Sequence, residues 1–415
     1  MKKTVIALLF CSFVMYGQSI EYTQLTLKEA LSLALEKNGD ILNAEKGIKL
    51  ADAKILQAGK IANAEISLET NEIPTSLKIN NTGELNLWFS QELEFFGKRG
   101  LRIDAAVQDK FIAEVKLTSL KTILASKIKT FYYNALLTKE IISNIEFNIQ
   151  LLSDFLQQVT DKYRAGTSEY IDIIRTKVEL TRLKNSLFET KRNNRVILNE
   201  LKYLIGMDLT NDVALIDSLN YKIRKVEKDS VLQQLAQSSN FLKQIEYQSG
   251  KNRYNLELAN KNKLPDFKFG ISLQKRNVNG LGSYDQFIGL SFGVSLPMFY
   301  SPYSKGEIQE AETLIDINKI QREYFKKKVI QNISNSYYNL VFAQEQLNVF
   351  ETSLLTDAEE ELRTGINSYQ NNKIDVLNLF DIYRTYRATK FEYLKTIYNN
   401  LVAEAELEAS GELQL

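Results

Sequence analysis

Proline is almost absent from this chain. It occurs at Pro74, Pro265, Pro297 and Pro302 and nowhere else in 415 residues, so the stretch between Pro74 and Pro265 and everything after Pro302 are free of it. Proline is the residue a helix interior tolerates least, because it lacks the N–H and its ring clashes with the preceding turn. Inside the first gap the apolar residues fall on a coiled-coil seam: Leu124, Ile128, Phe131, Ala135, Thr138, Ile142, Ile145, Ile149, Leu152, Leu156, Val159 and Tyr163. Steps of three and four residues, with Thr138 as the one polar interruption, predict a helix from Lys98 to Arg164. Such a helix is about 100 Å long at 1.5 Å per residue, beyond what an ordinary globular domain holds.

Ala165-Gly166-Thr167-Ser168 ends that helix, with Gly166 suited to the left-handed position and Thr167 or Ser168 to a new cap. A second helix over 169–205 folds back antiparallel. A like pair follows Pro302: a helix over 305–368, a polar break at Gln370-Asn371-Asn372, then a helix over 373–408. Around the prolines the period changes to two. Glu65–Thr70, Glu84–Ser90, Phe267–Gln274 and above all Ile288–Leu296 alternate large apolar residues with small or polar ones, which predicts two strand hairpins at 64–94 and 266–296. Strands of about ten residues have the length of tilted outer-membrane strands.

Self-comparison supports a duplication. An offset of 202 aligns Leu33–Asn38 with Leu235–Asn240, and an offset of 203 puts Asp172 on Asp375. The expected order is a signal peptide at 1–17, a first repeat at 18–206, a linker at 207–228, a second repeat at 229–411 and a short tail at 412–415. The signal reading rests on Lys2-Lys3, the apolar run from Thr4 to Tyr16 and the small residue Gly17. Lipid attachment at Cys11 is disfavoured because Phe10 precedes it.

Composition removes whole classes of function. There is no histidine, so His-based catalysis and histidine metal sites are excluded. The single cysteine excludes a disulfide framework. With Lys+Arg 52 against Asp+Glu 51 there is no basic excess for nucleic acid. No α/β or barrel-enzyme pattern exists to position carboxylates, so an enzyme is not expected and neither is a cofactor. Four membrane strands cannot close a barrel, and an open edge in a bilayer leaves backbone groups unsatisfied. Three copies would supply twelve strands.

On these elements the sequence resembles the outer-membrane efflux channels of the TolC family. Leu25-Thr26-Leu27-Lys28-Glu29-Ala30-Leu31 through Asn38 is similar to the family's opening, Tyr163, Gly166 and Asp172 to its helical turn, and Leu264-Pro265-Asp266 to its entry into the second hairpin. Departures are Asn38-Gly39-Asp40 where Asn-Pro is usual, Asn63-Ala64 in place of a proline, and Ile366 and Tyr369 at the places matched to Tyr163 and Gly166. Ser90–Arg99 resembles the stretch leaving the first hairpin in CzcC/CusC-type metal-efflux channels.

The resemblance implies a mostly α protein with membrane β. Its form would be a homotrimeric 12-stranded β-barrel, four strands per chain, continuous with a long α-helical coiled-coil barrel. It would stand in the outer membrane of a Gram-negative bacterium and extend into the periplasm. Implied partners are a periplasmic adaptor (membrane fusion protein), an inner-membrane pump of the RND type and outer-membrane lipid. Implied periplasmic gate residues are Asp375, Asn378, Asp172, Tyr163, Lys373 and Tyr369, with Asp375 alternatively a helix cap. Implied adaptor-contacting tips are Arg164, Gly166, Thr167, Gln370 and Asn371. Gly97, Lys98 and Arg99 would mark the junction of barrel and tube, the two cations alternatively being membrane-edge anchors. Trp88, Phe89, Phe287 and Phe292 are read as lipid-facing or girdle aromatics. Heavy-metal cations, drugs and type I secretion substrates all stand as cargo. A periplasmic or secreted coiled-coil scaffold is the rival reading, and the alternating strands argue against it.

Overall fold

The computed structural model describes residues 23–71, 73, 83–277, 284–296 and 301–413. The expected signal peptide, Cys11, most of both hairpin loops and the last two residues lie outside them. In chain order the elements are β1 (Thr23–Leu25), α1 (Leu27–Lys37), α2 (Gly39–Ala58), β2 (Glu65–Asn71), β3 (Glu84–Leu93), α3 (Lys98–Arg164), α4 (Tyr170–Leu204), β4 (Val213–Leu215), α5 (Lys228–Ser238), α6 (Asn240–Lys261), β5 (Asp266–Asn277), β6 (Tyr284–Ser295), α7 (Ser301–Val349), a π-helical turn (Phe350–Leu354), α8 (Leu355–Gln370) and α9 (Val376–Ala409). The 67-residue α3 has the bounds its proline-free seam predicts. The helix expected over 305–368 is instead interrupted by the π turn.

The chain divides into two compact units. The first takes residues up to Ala34 with Phe131–Leu219, and the second takes Leu35–Thr130 with everything from Asn220 on. In the first unit α3 packs along α4. The fully buried seam positions are Ala135, Thr138, Ile145, Leu152 and Val159, whereas Ile142, Ile149 and Leu156 stay half-buried and Tyr163 is exposed. One edge of the predicted seam is therefore filled within the chain, and the other is left partly open. Thr138 is not a gap in the packing: its hydroxyl lies 2.8 Å from Asn194 Oδ1 and 3.0 Å from the Asn134 carbonyl of its own helix.

One short strand, β4, lies where a linker was expected, and a second, β1, precedes α1. β1 and β4 pair in parallel, and Tyr132 of α3, fully buried, fastens them. Its hydroxyl sits 2.7 Å from Asp217 Oδ2 and 3.0 Å from the Leu25 carbonyl, while Asp217 also accepts from the Leu27 N–H. Thr26 caps α1, exchanging bonds with Glu29. In the second unit Tyr337 repeats the arrangement, its hydroxyl donating to the Val226 carbonyl just ahead of α5. Both tyrosines begin a Tyr-Tyr-Asn triplet, at 132–134 and 337–339, which is the readable signal that self-comparison at offsets of 202 and 203 passes over.

The core of the second unit forms where α6, α7 and α9 meet, around Phe241, Ile245, Val329, Ile333, Leu340, Ala403 and Leu407. Asn252, Asn318 and Asn400 reach carbonyls of neighbouring helices across it, so that buried side-chain amides set helix register. Caps break the paired short helices: Asn38 accepts from Asp40 and Ile41 at the start of α2, and Ser239 accepts from Leu242 at the start of α6. By role Asn38 corresponds to Ser239, one position from the match at offset 202.

β2, β3, β5 and β6 form one antiparallel sheet in that order. Its register gathers Ile66, Phe89, Ile271 and Leu290 into one row and Leu68, Leu87, Leu273 and Ile288 into the next, all exposed. The opposite face carries rows of Glu65, Ser90, Gly270 and Ser291, and of Ser67, Trp88, Ser272 and Gly289. Asn86, Gly270 and Ser272 are buried there. Trp88 and Phe287 thus stand on the small, polar face; only Phe89 and Phe292 of the four aromatics lie on the apolar one. Period two decides this, since residues one apart in a strand point to opposite faces.

Burial, and then the bond to Asp217 and its charge, hold the Tyr132 hydroxyl well above the ordinary tyrosine value. The unfolded chain ionises this group near its reference pKa of about 10. The stabilisation it supplies is therefore complete below pH 10 and falls as pH rises through it. Tyr132→Phe should cost about 1 kcal/mol at pH 7 and should flatten the loss above pH 10, read as the denaturant midpoint against pH.

Candidate functional site

Three places in the chain hold the functional residues suggested by sequence. Two are helical turns and the third is the passage from sheet to helix.

The first turn, in the first unit, joins α3 to α4. Gly166 has φ +76°, the Thr167 N–H reaches the Lys162 carbonyl at 2.9 Å and the Gly166 N–H reaches that of Tyr163 at 3.0 Å. This pair of bonds closes the helix with a left-handed glycine. The Thr167 hydroxyl adds a bond to the same Lys162 carbonyl. Asp172 works locally: its carboxylate accepts from the Ser168 hydroxyl at 3.0 Å and the Glu169 N–H at 3.4 Å, and Arg175 lies 3.5 Å away. A carboxylate in the first turn of α4 also favours the positive end of that helix. Tyr163 and Tyr170 bring their rings to 5.7 Å, both exposed, and Arg164 pairs with Asp161 at 3.4 Å.

The second turn, in the second unit, joins α8 to α9 by the same bonds. The Lys373 N–H reaches the Ser368 carbonyl at 2.8 Å, the Asn372 N–H reaches that of Tyr369 at 3.0 Å, and Asn372 takes φ +57°. Asparagine is one of the few side chains that accept this conformation. Asp375 caps α9, its Oδ1 accepting from the Asn378 N–H at 2.8 Å. These geometries correct the sequence match. Tyr369, not Ile366, corresponds to Tyr163; Asn372 corresponds to Gly166; Asp375 corresponds to Glu169; and Asn378 corresponds to Asp172. Tyr369 is buried, whereas Gln370, Asn371, Lys373, Asp375 and Asn378 are exposed. Close packing explains the burial: a Cβ on Gly365 would lie 2.8 Å from Ile382 of α9.

The third place, also in the second unit, is where β3 becomes α3. Gly97 has φ +93°, and a Cβ there would collide with Lys261 Nζ. The next residue, Lys98, is buried, donating at 2.9 Å to both Asp266 Oδ1 and the Leu264 carbonyl. Asp266 accepts the Phe95 N–H as well, at 2.7 Å. One ion pair thus ties the exit of β3 to the entry of β5. Arg102 clasps both oxygens of Glu94 at 2.7 Å and reaches the Ala58 and Lys60 carbonyls, which adds the end of α2. Lys98 is consequently no membrane-edge anchor, since its charge is spent inside the protein; Arg99 is exposed. Sequence reasoning found Gly97-Lys98 but not its partner Asp266, which lies 168 residues away.

Among the described residues no cluster of acidic or cysteine side chains could hold a metal ion, and no helix is long and apolar enough to cross a membrane. Lys98→Met should leave Asp266 and the Leu264 carbonyl short of a donor. A loss of about 2 kcal/mol is expected, read as a lower thermal midpoint, with Lys98→Arg recovering part of it.

Residues 30–207 match the family model described as outer membrane efflux protein. The chain is 21% identical over 377 residues to the cobalt-zinc-cadmium resistance protein CzcC of Cupriavidus metallidurans, covering 89% of this chain and 86% of that one. Its fold is similar to the outer membrane protein VceC of Vibrio cholerae, with TM-score 0.77, 15% identity, and 93% and 96% of the two chains covered. It is equally similar to CusC, with TM-score 0.76, 16% identity, and 93% and 91% covered. The sequence match to the outer membrane efflux protein model thus spans residues 30–207, and the fold of these solved outer-membrane proteins extends over nearly the whole chain.

Proposed function

We propose that three copies of this chain close a 12-stranded barrel and continue it as a helical tube, a passive gated exit for cargo delivered by an inner-membrane pump through a periplasmic adaptor. The observation that carries this reading is the inside-out sheet. Its exposed face is the apolar one, with Leu290 82% and Ile288 74% exposed, while the face of Gly, Ser and Asn is the more covered. A sheet folded for water has the opposite arrangement. β2 and β6 are edge strands among the described residues, and in a bilayer their unpaired N–H and C=O groups need partners that one chain does not supply. The helices repeat the pattern: Phe147, Phe188, Ile320 and Phe342 are each more than 60% exposed on long helices, as faces awaiting neighbours would be.

Two repeats build the chain in this reading. Each runs short helix, capped second helix, two strands, long helix, left-handed turn, returning helix. The Tyr-Tyr-Asn triplets and the paired turns support it. The tube offers no chemistry of its own in this reading, and the similar structures of OprN and CusC are described as channels.

In the assembled trimer Asp375, with Asn378 and Lys373 beside it, would ring the periplasmic opening, and the exposed turn residues Arg164, Thr167, Gln370 and Asn371 would meet the adaptor. Acidic rings attract cations and narrow a pore electrostatically. Heavy-metal cations are the cargo favoured, because the matched relative CzcC is named for cobalt, zinc and cadmium resistance; the pump of an RND system would make the selection.

The purified protein should run as an assembly of three chains that dissociates on heating, and should conduct in planar bilayers. Asp375→Asn keeps an equally good helix cap and removes the charge, so a changed cation conductance with unchanged stability supports the ring. Unchanged conductance would reduce Asp375 to a cap, and an elongated soluble monomer would sink the channel reading. For cargo, a deletion strain should become sensitive to cobalt, zinc or cadmium while tolerating drugs and bile-type detergents; the reverse pattern would assign the multidrug branch.

A further inference from the structure

The foot of the sheet holds a cavity of 510 Å³ that none of the roles above uses. It is walled by Ile61, Leu93, Phe96, Phe267, Phe269 and Phe292. Leu93, Phe267, Phe269 and Phe292 all stand on the apolar face by register. The rings of Phe267 and Phe292 stack at 6.0 Å and those of Phe269 and Phe292 meet at 5.0 Å, while Phe96 is 82% exposed at the rim. The volume falls within the range of about 300–1,000 Å³ usual for small-ligand sites.

Charge at the mouth is one-sided. Glu94 is held by Arg102 and Asp266 by Lys98. Arg99 lines the same cavity, and Lys261 brings its Nζ to the Phe96 carbonyl at 3.4 Å; neither has a carboxylate partner among the described residues. An apolar chamber with two uncommitted cations at its lip fits one kind of amphiphile. A peptide would need several polar groups inside to satisfy its backbone, and the lining offers only Glu94, already paired, and Arg99 at the lip.

We infer that this cavity binds an anionic glycerophospholipid of the periplasmic leaflet, one acyl chain among the phenylalanines and the phosphate on Arg99 and Lys261. The site rests on the sheet lying in the outer membrane. There the junction with the helices sits at headgroup depth, where aromatic girdles and cations gather. The lipid would brace the one point at which strand turns to helix, beside the Lys98–Asp266 pair.

The test is native mass spectrometry of the full chain, delipidated in mild detergent and then offered phosphatidylglycerol or phosphatidylcholine with the same acyl chains. Phosphatidylglycerol should be retained, one per chain, with roughly tenfold preference, equivalent to about 1.4 kcal/mol. Arg99→Ala and Lys261→Ala, both at the rim, should each lower its retention severalfold and lower that of phosphatidylcholine less, so that the preference shrinks. Equal retention of both lipids, indifferent to those substitutions, would leave only an apolar anchor and overturn the site. Displacement of phosphatidylglycerol by millimolar inorganic phosphate would make it a free-anion site, and no retention at all would mean that a second copy covers the cavity; either result ends the proposal. Heat-sensitive assembly and outer-membrane fractionation of the same preparation test the channel reading separately.

Discussion

Every strand of the large sheet turns its apolar side outward, and the consequences run through the rest of the molecule. Water would drive such a face to collapse, while a bilayer makes it the stable arrangement, provided that all backbone groups are bonded. Four strands leave two edges, and no rearrangement within one chain removes them. The inner face shows the same constraint from the other side. Gly270 and Gly289 have no room for a side chain, since a Cβ would fall within 2.5 Å of Ser291 and Ser272 respectively. Small residues there would let the polar face curve inward in the proposed barrel.

The junction is where this wall is converted into helices, and it is built unlike either neighbour. A strand row cannot run into a helix without a change of direction, and Gly97 supplies it with a backbone that side chains resist. The buried pair of Lys98 and Asp266 then fixes where α3 begins relative to β5. Removing Asp266 would cost more than the pair contributes, because the buried Lys98 charge would be left without its partner. The pair is therefore better understood as setting geometry than as adding stability. Arg99, one residue on, carries no such bond and is free to face outward.

Much of this was legible in the sequence because the signals were local. The bounds of α3 follow from proline placement and a twelve-position seam from Leu124 to Tyr163, and the four strands from alternation. What was missed depends on distance or on cancellation. β1 and β4 have three residues each, too few for any period, and exist because Tyr132 and Asp217 hold them. Trp88 looks like a membrane aromatic by type, yet its parity puts it with Ser67 and Ser272. The turn residues were found, but the second set was displaced by three positions, because a letter match at Asp172 and Asp375 outweighed the cap geometry that pairs Asp375 with Glu169.

One position of that displacement has a physical origin, the π turn between α7 and α8. Between Tyr132 and Tyr337, which make the same bond to the segment ahead of their repeats, the interval is 205 residues. Between the left-handed residues Gly166 and Asn372 it is 206. The second interval is longer by one residue, and the π turn at Phe350–Leu354 lies between these landmarks. A π turn is the way a long helix absorbs one extra residue without rotating everything beyond it by 100°. Phe350 is buried against the chain there, its ring 6.4 Å from Tyr393 of α9, so the packing of the returning helix is preserved. A fixed offset between the two halves cannot describe such a pair. In the two-repeat reading the halves agree in their bonds and not in a fixed register of letters: α3 and the α7–α8 run each reach a turn closed by the same two backbone bonds.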